Sequence, residues 1–249
     1  MERIAVLSDV HGNQEAFEAV LKALSAEDVR HIVHLGDLVG YNANPRECLQ
    51  IARRSEFTSV LGNHDLAILE PHTAEDFNVL AYQAIKYAQT QLTSRDLQYL
   101  ETLPRARMLH DRYLICHGTP ESIDSYILTL FQAKRVFNLL RSRFNGIRIC
   151  FFGHTHVQKL WLRDPRGKVT SVAPNSPSFS LDPECMYLIN PGSVGQPRQH
   201  DNRAHYLIFD SINERVSFKT VPYDISKAQH KIRQARLPDY LAARLQDGI

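Results

Sequence analysis

Cysteine is sparse and scattered. The 249 residues hold four, at positions 48, 116, 150 and 185, and no two lie closer than 34 positions. Without a CxxC pair there is no zinc-knuckle or thioredoxin-like spacing. The expectation is four reduced thiols that serve as small buried hydrophobes. Long apolar runs are missing as well. No stretch approaches the roughly 18 residues of a membrane span. The opening MERIAVLSD lacks the apolar core and cleavage site of a secretory signal. An excess of one charge is also absent: Lys and Arg number 29 against 27 Asp and Glu, a net of +2. No global field therefore draws the chain to nucleic acid or to an anionic surface. Together these absences predict a cytoplasmic protein with no membrane association and no strong nucleic-acid signal. What remains is ordinary globular composition, 43% apolar and 22% charged. That is enough chain to bury a core without disulfides.

The order of segments gives a fold class. Ile4 to Leu7 is an apolar strand followed by a polar turn, Ser8 to Asn13. Phe17, Val20, Leu21 and Leu24 then recur at helical spacing. His31 to Leu35 is a second strand, Pro45 opens a helix to about Arg53, and Phe57 to Leu61 is a third strand. This alternation is an α/β signature, and ligands of such sheets sit at the carboxyl ends of the strands. Ala74 to Leu103 reads as two helices broken near Thr93-Ser94, within a helical excursion over about 65–104. Hairpins are expected at Arg107 to Cys116 and at His205 to Thr220, a helix over Phe131 to Arg141, and a buried strand over Arg148 to Phe152. Short strands and Pro-rich loops (Pro174, Pro177, Pro183) fill Val157 to Asn190, and the C-terminus from Ile225 is helical. No linker, repeat or low-complexity block interrupts the chain, so residues 1–249 are expected to form one domain.

Polar groups cluster where the strands end: Asp9-Val10-His11, Gly36-Asp37, Gly62-Asn63-His64-Asp65, His117-Gly118 and Gly153-His154-Thr155-His156. Each alone is ordinary turn chemistry. Together they supply imidazole, carboxylate and amide oxygen, a donor set for Mn, Fe or Zn. Asp9, His11, Asp37, Asn63, His117, His154 and His156 are too many for one ion, and suffice for two if one carboxylate bridges. Two ions about 3.5–4 Å apart can clamp an in-line displacement at phosphorus. With two carboxylates and a hydroxide the site keeps a charge of about +1, suited to a phosphate anion.

The array DxH, GD, GNHD, HG and GHTH resembles the calcineurin-like metallophosphoesterase superfamily. The phrases SDVHGN, GDLVGY and NPGSVGQPR extend the likeness to a small bacterial and archaeal phosphoesterase branch, over nearly the whole chain. The resemblance implies a four-layer αββα sandwich of two mixed sheets flanked by helices, whose second sheet the periodicity does not reveal. It implies one metal on Asp9, His11 and His156, the other on Asn63, His117 and His154, and Asp37 as bridge. His64 matches the family histidine that contacts phosphate or protonates the leaving oxygen. Related protein phosphatases orient that histidine with an Asp three positions after the bridging one, where this chain has Gly40. The implied reaction is attack by a metal-bridging hydroxide on a small phosphate ester or nucleotide. Phosphodiesterase activity leads. Phosphomonoesterase or protein-phosphatase activity is the enzyme alternative, though that branch carries GNHE rather than GNHD. A metal-bound interaction scaffold is the non-enzymatic one. Manganese is the first choice among Mn, Fe, Zn and Ni, and a homo-oligomer is compatible. Asn13, Tyr41 and Arg198 are candidate substrate contacts, with a helix cap the favoured role for Asn13. His31, His34, His72, His110, His200, His205 and His230 fit no motif.

Overall fold

A computed structural model describes residues 3–172 and 178–249. The expected loop prolines Pro174 and Pro177 lie outside the described residues. Two six-stranded mixed sheets stack face to face. The first is ordered β3 (Thr58–Ser59), β2 (His31–His34), β1 (Arg3–Leu7), β11 (Ala204–Asp210), β12 (Arg215–Val221), β9 (Ser178–Ser180). The second is ordered β4 (Ala106–Leu109), β5 (Tyr113–Cys116), β6 (Ile149–Phe151), β10 (Met186–Pro191), β7 (Gln158–Arg163), β8 (Val169–Val172). Within each, three strands run parallel, β1 with β2 and β3, and β5 with β6 and β10. The rest pair antiparallel.

Period-two alternation explains the layering. Along β1, Ile4 and Val6 point between the sheets, where they meet Phe151, Ile189, Leu207 and Phe209. Ala5 and Leu7 point the other way, onto Phe17 and Val20 of α1 (Gln14–Leu24). On the far side, Cys116, Cys150 and Leu188 pack under Phe137 and Leu140 of α6 (Leu130–Arg143). The result is the four-layer αββα sandwich. A strand buried on both faces reads as a continuous apolar run, which is why the partner sheet left no periodic trace. All four cysteines are buried free thiols. Among the described residues no helix is long and apolar enough to cross a membrane.

Three elements depart from the sequence reading. The third strand shrinks to Thr58–Ser59, because the chain turns at once into α3 (Asn63–Leu69). The GNHD segment is therefore the first turn of a helix rather than a loop. The excursion continues with a short 3₁₀ turn, Pro71–Ala74, then α4 (Val79–Gln91) and α5 (Ser94–Glu101), the last capped by Thr93 with Asp96. The C-terminal helix is split into α7 (Ile225–Gln234) and α8 (Asp239–Asp247). The break falls at Arg236, which adopts a left-handed φ of 56°, and Pro238, which cannot continue a helix.

Candidate metal centre

The parallel strands deliver their carboxyl ends to one edge of the sandwich, and the polar turns converge there. Asp9 and His11 follow β1, Asp37 follows β2, Asn63 opens α3, His117 follows β5, and His154 and His156 follow β6. Asp9, His11, Asp37, Tyr41, His154 and His156 all hold left-handed φ values between 50° and 64°. For L residues this costs roughly 1–2 kcal/mol each. The turns persist because they are bonded to one another: Asp9 N–H to Gly36 O (3.1 Å), His11 N–H to Asp37 O (2.9 Å), Gly153 N–H to His117 O (2.8 Å) and Gly195 N–H to Asp9 O (2.9 Å). Gly62 is required as well, since a Cβ there would collide with the Asp37 carboxylate.

Asp65 holds this frame from beneath. Its carboxylate accepts four backbone N–H groups, from Asp37 (2.8 Å), Leu38 (3.0 Å), Val39 (3.2 Å) and Gly62 (3.1 Å). It makes no bond to His64. The residue shapes the loop that carries Asp37, a role that adjacency in sequence does not reveal.

Four histidine rings share one device. His11 Nδ1, His117 Nδ1 and His156 Nδ1 lie 2.9, 2.8 and 2.6 Å from the carbonyls of Val39, Leu35 and Gln196. His154 Nε2 lies 3.1 Å from the Asp124 carbonyl. A carbonyl only accepts, so each ring must donate there, and its second nitrogen becomes an inward lone pair. Those lone pairs face other acceptors. His11 Nε2 is 3.1 Å from His156 Nε2, and His117 Nε2 is 3.1 Å from Asn63 Oδ1. His117 Nε2 is 3.3 Å from Asp37 Oδ2, and His156 Nε2 is 3.3 Å from Asp9 Oδ1, a buried oxygen without a hydrogen-bond partner. Acceptors gathered this closely repel unless a proton or a metal ion lies among them. Asp9 with His11 and His156, and Asp37 with His117 and His154, each form a buried group with ligand atoms within 4.8 Å of one another. These donor sets fit divalent metal ions.

The electrostatics of these groups point the same way. Burial pushes Asp9 up to about 7, with the Asp37 carboxylate adding to it. Burial would raise Asp37 too, but the His117 and His64 rings hold it well below the ordinary carboxylate range. Burial drives His11 and His156 well below the usual imidazole range and His154 to about 3. His117 alone goes up, to about 9, because the Asp37 and Asp9 carboxylates outweigh its burial. The pocket demands positive charge beside Asp37.

His64 differs from these four rings. Its backbone N–H bonds Asp37 Oδ1 (2.9 Å), and its Nδ1 is buried against Gly40 with no hydrogen-bond partner. A Cβ at Gly40 would overlap that nitrogen, and Gly40 holds a φ of 98°. The ring is boxed in by His11, Tyr41 and Phe77, with centroids 4.7, 4.6 and 4.9 Å away. Nε2 is left as the nitrogen facing the cleft.

A cleft of about 170 Å³ opens above these groups, bordered by Asp37, His64, His154, His156, Tyr41 and Arg198. Arg198 reaches Gln196 Oε1 (2.9 Å) and stacks over Tyr41, which Arg244 of α8 approaches at 6.0 Å. Asn13 is not on the cleft. Its Oδ1 caps α1 at Ala16 N–H (3.1 Å) and its Nδ2 bonds Gly195 O (3.0 Å), so both polar ends are used inside the protein. The NPGSVG turn bonds the first strand end through Ser193 Oγ to Asp9 O (2.8 Å). The sequence reading missed the wall residues Asp76, Phe77 and Tyr126, which carry no motif and come from the excursion and the β5–α6 loop. It also missed Arg244, and no local pattern marks it.

Comparison with known proteins adds an independent line. The family model of the calcineurin-like phosphoesterase superfamily domain matches residues 2–214. An uncharacterized protein of Methanocaldococcus jannaschii, MJ0912, is 35% identical over 245 residues, covering 97% of this chain and 96% of that protein. The crystal structure of a metallophosphoesterase from Sphaerobacter thermophilus superposes with a TM-score of 0.87 at 38% identity, over 100% of this chain and 99% of the other. The hypothetical protein PH1004 of Pyrococcus horikoshii shares the fold, with a TM-score of 0.80 at 18% identity and the same coverage.

Proposed function

The chain belongs to the calcineurin-like phosphoesterase superfamily, and from that premise we propose that it is a two-metal phosphodiesterase acting on small phosphate esters or nucleotides. The carrying observation is the set of inward lone pairs that meet other acceptors at 3.1–3.3 Å, each on a ring whose other nitrogen is tied to a carbonyl. Asp9, His11 and His156 would hold one ion, Asn63, His117 and His154 the other, with Asp37 placed to serve both. Divalent ions there, manganese first among Mn, Fe, Zn and Ni, would supply water activation and neutralisation of phosphoryl charge.

The protein's own groups position the ester. His64 has no acceptor at Nδ1, so its neutral ring carries the proton on Nε2 and donates it as a hydrogen bond to a phosphoryl oxygen. Of the two family roles for this residue, the geometry favours phosphate contact, because no carboxylate backs the ring. Arg198 offers a cation on the same cleft, steadied by Gln196. Diesters are favoured over monoesters by room. The cleft runs on past Asn63, Asp76, Phe77, Tyr126 and His154 into an outer cleft of about 490 Å³, where a second ester group fits.

One assay tests this. Metal-stripped protein receives Mn²⁺ and is offered a bis-aryl phosphodiester and an aryl phosphomonoester. The expected result is Mn-dependent turnover of the diester, reduced in His64→Ala. Turnover of the monoester alone overturns the diester assignment, and turnover of neither across several metals overturns the enzyme reading.

A further inference from the structure

The two ends of the substrate cleft differ in charge: the inner end has a guanidinium on its wall, and among the described residues the outer end has none. At the inner end Arg198 is, among the described residues, the only Lys or Arg on the wall, and its Nε is buried without a hydrogen-bond partner. Among the described residues the outer cleft is lined by no Lys or Arg, and it adds the Asp124 carboxylate to that of Asp76, which borders both parts. Neither carboxylate forms an ion pair among the described residues. Arg105 acts electrostatically on Asp124 but is not on the cleft wall. Two aromatic rings, Phe77 and Tyr126, border both parts of the cleft. Tyr126 is 41% exposed and lies flat on the His154 ring, centroids 4.0 Å apart and planes 24° from parallel. Its outer face is therefore an apolar surface beside a proposed metal ligand.

Resting on the phosphoesterase reading above, we infer that this enzyme selects esters whose outer group is an uncharged or cationic organic group with an apolar face, and rejects those bearing a second phosphate or carboxylate there. An anionic tail in the outer cleft meets Asp76 and Asp124 with no Lys or Arg among the described wall residues to neutralise it. An apolar or planar tail covers Tyr126 and Phe77. A cationic tail gains from both carboxylates and from the ring faces. Polyphosphates and phosphorylated acidic peptides are disfavoured on the same ground, and simple nucleoside or aryl diesters are admitted.

Three phosphonates with a common head and tails of similar length test this by equilibrium binding: propylphosphonate, aminopropylphosphonate and carboxyethylphosphonate. None has an ester bond to cleave, so calorimetry on the Mn-loaded full chain reads affinity without turnover. The expected order is aminopropyl, then propyl, then carboxyethyl, each step about three- to tenfold. In Asp76→Asn/Asp124→Asn the spread contracts to about twofold, read as each affinity relative to that of propylphosphonate in the same protein. These substitutions keep the Asp124 carbonyl that His154 uses. Equal or tighter binding of carboxyethylphosphonate by the wild type overturns the inference, as does an unchanged spread in the double variant. If none of the three binds, or if all bind as well without metal, the phosphoesterase reading itself fails. That outcome is distinct from loss of tail discrimination alone.

Discussion

The floor of the site and its rim are built on opposite plans. The floor is buried and over-determined: Asp9, His11, His117 and His156 are at most 2% exposed, and each of the four clustered rings is pinned by a backbone carbonyl. Its turns store backbone strain, which their mutual hydrogen bonds and the Asp65 carboxylate hold in place. The rim is exposed, and Asp76, Phe77 and Tyr126 rest on a short 3₁₀–α4 connection and on a loop. A floor of this kind fixes chemistry, since its groups are held in place before anything binds. A rim of this kind sets preference, because its side chains are free to meet whatever ester group enters. His64 stands at the border, buried like the floor but untethered at Nδ1.

The comparison breaks most sharply at Asp37. Asp37→Asn removes charge from the point both proposed ions share. Turnover should fall about 10³-fold and bound metal should drop, read by elemental analysis beside kcat. Equal metal content and activity would mean that the floor is not the catalytic centre. His64→Ala should lower kcat about 10²-fold while leaving metal content intact. His64→Gln, which still offers an N–H donor, should recover part of the loss. Metal loss in His64→Ala would instead move this residue into the floor.

The floor was legible in the sequence because each of its pieces is local. DxH, GD, GNHD and GHTH are short phrases fixed to strand ends by sterics, and their left-handed residues are Asp, His and Tyr rather than glycine only because neighbours hold them. The alternation of β1, α1, β2 and α2 (Pro45–Arg54) announced the first sheet. The second sheet was hidden because strands buried on both faces lose the alternation that would reveal them. The break between α7 and α8 was missed although Pro238 signals it. The rim was illegible for a different reason. Asp76 meets Asp124 and Tyr126 only through tertiary folding, and each one alone looks like a surface residue. Asp65 shows the limit of reading by adjacency, since it sits beside His64 yet serves the backbone of residues 37–39 and 62.

Asp65 also offers a way to loosen the floor without touching a proposed ligand. Asp65→Asn replaces a carboxylate that accepts four N–H groups with an amide whose NH₂ faces them. Stability should fall by about 3 kcal/mol, roughly 5–10 °C in melting temperature, with about a tenfold loss of turnover as Asp37 shifts. An unchanged melting temperature would show that the loop holds its shape without this anchor. The smallest effect belongs to the rim. Tyr126→Ala should raise KM for aromatic diesters about three- to tenfold with little change in kcat, and Tyr126→Phe should behave as the wild type. A kcat loss in Tyr126→Ala would instead make the stack on His154 part of the floor.

The central claim is that the converging acceptors form one centre for two divalent ions. Titrating metal-free protein with Mn²⁺ and counting bound ions per chain tests it directly, with Asn63→Ala as the second sample. The expected result is two ions for the wild type and selective loss of one in the variant, with diester turnover following occupancy of both. One ion or none in the wild type, or two retained in Asn63→Ala, would contradict it.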